Sequence, residues 1–185
     1  MANLDKANDM TLLDMRLPRQ LEADETAEAV RRAFMAHTVK LWAGGHLDVA
    51  LISMSDPLSN ALRTARLKGL IRYGYEAILE KLESERIGIE SLRERRGISH
   101  GDRVSRLLLF SSDGAERFYR HVEQLLQLHA PRLLGCRLDI GGIVLGRLMT
   151  GKETVIKAVM AEHKDVVSDI MRAIAASHET GRDID

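Results

Sequence analysis

The stretch 132–149, RLLGCRLDIGGIVLGRLM, constrains the fold of this 185-residue chain more than any other. Apolar residues alternate on either side of Gly141 and Gly142, and a Gly-Gly pair suits the positive φ angles of a two-residue hairpin turn. The pattern predicts two antiparallel strands folded back at these glycines. In that register Ile140 faces Ile143, Leu138 faces Leu145 and Cys136 faces Arg147. Gly135, Arg137, Asp139, Val144, Gly146 and Leu148 then lie on the opposite, more open side, because successive strand residues point to opposite faces.

The flanking segments extend this unit. RVSRLLLF, from Arg103, reads as a buried strand closed by the turn SSDG, and AERFYRHVEQLLQLH has a helical period up to Pro131. A last helix is expected from about Gly151 to Ala176, with Val155, Val159, Val166, Ile170 and Ile174 inward. The second half is thus predicted as β-α-β-β-α.

The first half reads as helical. One helix is expected from Asp24 through TAEAVRRAFMAHTVKLW, stopped by Gly44 and Gly45. HLDVALISM is too short for its period to decide between strand and helix. Asp56 as N-cap with Pro57 at the first helical position starts another amphipathic segment, one long helix or two broken at Gly69, ending at Gly88. IESLRERRG adds a short charged helical turn. The expected class is therefore α+β: a helical N-terminal half followed by a small β-α-β-β-α sheet domain with a tight Gly-Gly hairpin. The expected divisions are a loosely ordered arm over 1–23, a helical region over 24–100, the sheet region over 101–178 and a frayed tail over 179–185, or one compact domain throughout.

A single cysteine, Cys136, permits no intramolecular disulfide and no zinc site with two cysteine ligands, which favours a reducing compartment. With no apolar run of about 18 residues and no apolar leader, the expectation is a cytoplasmic protein without membrane contact. Formal charge is zero overall but uneven: residues 1–30 hold 3 basic and 7 acidic side chains, 31–150 hold 19 and 13, and 151–185 hold 5 and 7. The middle thus offers a mildly basic surface to an anionic partner.

The motif nearest to known chemistry is GRLMTGKET. Gly146, Gly151 and Lys152 have the spacing of a phosphate-cradling P-loop, but the Mg²⁺-binding hydroxyl position is Glu153. Thr150 and Glu153 are read instead as a capping box opening the last helix. Ser111, Ser112, Asp113 and Gly114 place hydroxyls and free N–H groups between a strand and a helix, a seat for a small anion, although Asp113 and Glu116 also have capping spacing. Arg137, Arg147 and Lys152 are its expected charge partners.

The densest basic stretch includes Arg93, Arg95, Arg96, Arg103 and Arg106, for which phosphate binding is the functional reading. Interleaved acids and an aromatic content of only 4% leave no stacking platform for bases, so nucleic acid is the less favoured partner. The seven histidines include no H-x-x-x-H pair, so no metal site and no cofactor is expected. Without a nucleophile motif the expected function is non-catalytic: a regulatory or protein-interaction protein that binds a second copy or another protein. A small anionic metabolite or nucleotide at helix N-termini, and nucleic acid at the arginines, are the alternatives.

Overall fold

A computed structural model describes residues 15–97 and 101–182. Its centre is strand β4 (Arg106–Phe110), a continuous apolar run because both faces of the sheet are covered. Leu107 and Leu109 enter one core, and Leu108 and Phe110 enter the other. Helix α5 (Glu116–Leu128) buries Tyr119, Val122, Leu125 and Leu126 at helical spacing and leads to β5 (Leu133–Leu138), parallel to β4. Gly135 lets the Leu126 side chain pack against the strand: a Cβ would come within 2.6 Å of Leu126 Cδ1.

β5 is followed by a helix, which corrects the predicted hairpin. Gly141 is extended (φ −79°, ψ 165°) and Gly142 is the first residue of α6 (Gly142–Thr150). The letters IVLGRLM satisfy both periods, but Gly142, Leu145, Gly146 and Met149 are the residues buried, at helical spacing, while Ile143 and Val144 are half exposed. Gly146 lets the returning chain pass so closely that a Cβ would lie 1.7 Å from the Thr154 carbonyl oxygen. The last predicted helix divides likewise: AVMA forms β6 (Ala158–Ala161), antiparallel to β4, and the helix itself is α7 (Lys164–Arg182). Val155 is exposed in the loop rather than inward. The second half is therefore β-α-β-α-β-α.

The first half contributes three strands as well as helices. After α1 (Arg19–Ala23) and α2 (Ala27–Met35), the residues Thr38–Lys40 form β1, where the helix was expected to continue. HLDVALISM resolves as β2 (Asp48–Ile52). Ser55, rather than Asp56, caps α3 (Asp56–Leu67), its Oγ accepting the Leu58 N–H at 3.3 Å. Gly69 (φ 69°) and Gly74 (φ 91°) supply left-handed turns on either side of β3 (Ile71–Tyr73). Helix α4 (Tyr75–Arg96) then runs through Gly88 and stops at Gly97, which is left-handed.

The sheet order is β1-β2-β5-β4-β6-β3, parallel at β2, β5 and β4 and antiparallel elsewhere. The α+β class holds. Helices α2, α3, α6 and α7 cover one face; α4 and α5 cover the other. Of the arm expected over 1–23, residues 1–14 lie outside the described residues, while Leu17 and Leu21 are buried in the first core.

Candidate functional site

Two adjacent parallel strands send their following helices to opposite faces: α5 leaves β4 on one side and α6 leaves β5 on the other. Such a switch opens a crevice at the carboxyl ends of the strands, the usual ligand position in parallel sheets. It brings together Ser111, Ser112, Asp113, Gly114 and Arg137, with Gly142 and Lys157 beside them.

The crevice is tied shut by its own groups. Asp113 Oδ1 accepts the Gly142 N–H at 2.9 Å and lies 2.8 Å from Lys157 Nζ, which also donates to the Asp113 carbonyl at 3.1 Å. Lys157, with the Ser111 hydroxyl and the Gly142 N–H, holds the Asp113 carboxyl down at about 2. The α6 N-terminus, where a free anion would be stabilised, thus already carries a carboxylate. Asp113 caps α6 rather than the helix that follows it in sequence, α5, whose N-cap is Ala115.

Arg137 donates from Nη2 to the Ser112 carbonyl at 2.9 Å, with its guanidinium 4.9 Å over the Tyr119 ring. The Tyr119 hydroxyl donates to the Ser111 carbonyl at 2.9 Å and accepts the Gly114 N–H at 3.0 Å. Just past the end of β5, Asp139 accepts the Met54 N–H at 2.8 Å. Ser111 Oγ and Arg137 Nε are buried without a well-aligned hydrogen-bond partner. No imidazole takes part in these contacts among the described residues.

Arg147 and Lys152 do not join this site. Arg147 lies about 7.5 Å along α6 from its start at 1.5 Å per residue, and Lys152 lies past the helix end. Arg147 pairs with Glu153 at 2.5 Å and Lys152 is exposed in the turn. Thr150 closes α6 with its hydroxyl on the Gly146 carbonyl at 2.8 Å, and Gly151 (φ 74°) is the C-cap. The near-P-loop is thus a helix C-terminus, with neither a phosphate cradle nor the expected capping box.

A second concavity, of about 560 Å³, runs between α4 and the amino ends of β4 and β5. Gly88, Ile89 and Leu92 line one side; Arg103, Arg106 and Arg132 line the other. Glu85 bridges them, with Oε1 2.9 Å from Arg106 Nη2 and Oε2 3.1 Å from Arg132 Nη2. Burial pushes the Glu85 carboxyl up, but the two guanidiniums outweigh it and hold it low. Arg103 is turned to Glu22 at 2.5 Å and to the Leu17 carbonyl at 2.9 Å. Arg93, Arg95 and Arg96 are exposed on the last turn of α4, where cations complement the helix dipole.

Sequence reasoning missed Arg132 and Lys157, and counted Glu85 only among the acids interleaved with the arginines. Glu85 stands among other charges on a helix, and its partners Arg106 and Arg132 are 21 and 47 residues away. Among the described residues no three His, Cys, Asp or Glu side chains converge as a metal site. No described helix is long and apolar enough to cross a membrane. Compared with models of known protein families and with curated protein sequences, the chain matches none.

Proposed function

We propose that this chain is a non-catalytic cytoplasmic protein-interaction protein that presents the second half of α4 to a protein partner. The observation carrying this reading is the exposure of that helix. Ile78 and Leu82 are buried, but no residue from Glu83 to Arg96 is, and Ile87 and Leu92 are 56% and 39% exposed. Some fourteen residues of helix are therefore maintained with none of them fully buried, although helical stability in proteins comes mostly from a packed face.

Site-specific photo-crosslinking in cells tests this reading. A photoreactive residue at Ile87 or Leu92 gives discrete protein adducts, while one at Leu67, 83% exposed at the end of α3, gives none. Equal labelling at all three positions defeats the reading.

A small anion in the carboxyl-end crevice is the second reading, supported by the buried Arg137 Nε, which has no hydrogen-bond partner among the described residues. Its signature is a stabilisation of about 2–4 kcal/mol in a thermal-shift screen with saturating phosphorylated metabolites. No shift with any of them removes it.

A further inference from the structure

We infer that the groove beside α4 receives an acidic segment of another protein, one that carries apolar side chains among its carboxylates. The inference rests on the reading of α4 as the interaction surface and names the chemistry of the partner.

Charge at the groove does not balance. One carboxylate, Glu85, serves two guanidiniums, and Lys81 Nζ lies a further 3.7 Å away. Arg132 engages Glu85 through Nη2 alone, and a guanidinium carries five N–H donors in a fork that matches a second carboxylate. Arg132 is within reach of such a group, its side chain being 20% exposed. Beyond the groove, Arg93, Arg95 and Arg96 have no carboxylate within 4 Å among the described residues, so the positive character continues along the helix end.

The opposite wall is apolar. Ile89 and Leu92 face the same concavity, and a partner that offered charge alone would leave them wet. This pairing of a greasy wall with a cationic wall selects an acidic peptide over a nucleic acid. Among the described residues no aromatic side chain lines the groove to stack a base, and Arg103 and Arg106 are already held by Glu22 and Glu85.

Selection of displayed random dodecapeptides against the intact chain tests the inference, with the enriched peptides then measured by fluorescence polarisation. Expected are peptides with Asp or Glu beside Leu, Ile or Phe, binding more weakly as salt rises. Both Arg132→Ser and Leu92→Asp, checked for native circular dichroism, should weaken them by about tenfold. Peptides lost on Leu92→Asp but free of acidic bias and indifferent to Arg132→Ser leave α4 as the surface and overturn the acidic partner. Peptides indifferent to Leu92→Asp, or no enrichment, overturn both. Duplex DNA bound through Arg132 regardless of Leu92 overturns the inference in favour of a polyanion.

Discussion

Glu123 is a carboxylate only 6% exposed, on the buried stripe of α5. It accepts hydrogen bonds from Trp42 Nε1 at 2.6 Å and from the His46 and Leu47 N–H groups at 2.7 Å each. Burial pushes its carboxyl up, and these three donors more than offset it. Replacing it with alanine strands all three, so Glu123→Ala should cost about 3 kcal/mol in urea unfolding. Cys136, by contrast, is fully enclosed with its thiol pushed up to about 12, and carries no reactivity.

Titration at single residues sets the acid limb of stability. Asp113, held at about 2 by Lys157 and its neighbours, contributes stability that is complete above its ordinary value of 3.8 and lost as pH falls through about 2. Burial and the nearby Arg132 lower His129, so the native state keeps it neutral while the unfolded chain takes up a proton below the ordinary 6.5. Stability therefore declines first as pH drops below that value and again below 3.8. Urea midpoints measured against pH should show both declines, with Asp113→Asn flattening the second and His129→Gln the first.

At the scale of elements, two glycines of similar sequence appearance have opposite roles. Gly88 lies inside α4 with nothing within 4 Å of an added Cβ, so Gly88→Ala should stabilise by about 0.5–1 kcal/mol. Gly146 lies inside α6 against the Thr154 carbonyl, so Gly146→Ala must move backbone and should cost about 3 kcal/mol. Thermal melts of the two variants should shift in opposite directions. Local signals explain this blindness: a lone glycine in a helical pattern looks the same whether its missing Cβ faces water or another chain segment. The same limit explains the misplaced hairpin, since seven residues around Gly146 satisfy a two-residue and a 3.6-residue period together.

For the whole molecule, the sheet interleaves the two halves of the chain. β2 from the first half pairs with β5, and β3 pairs with β6. Helices α2 and α3 pack on α7 in the same core. Differential scanning calorimetry should therefore show one transition with equal calorimetric and van't Hoff enthalpies, and fragments 1–100 and 101–185 should not fold separately. Two independent transitions would contradict this coupling.

The sequence by itself determined β4, α5 and the inward stripe of α7. Each carries a repeated apolar period over enough residues that burying it leaves one local conformation. It also set the carboxyl end of β4 as a place where hydroxyls, Asp113 and a helix start meet. Only the tertiary structure decided that Asp113 would cap α6, that Glu85 would join arginines 21 and 47 residues away, and that α4 would outrun the sheet covering it. Those outcomes depend on which strands become neighbours, and strand order is settled by packing across the whole core.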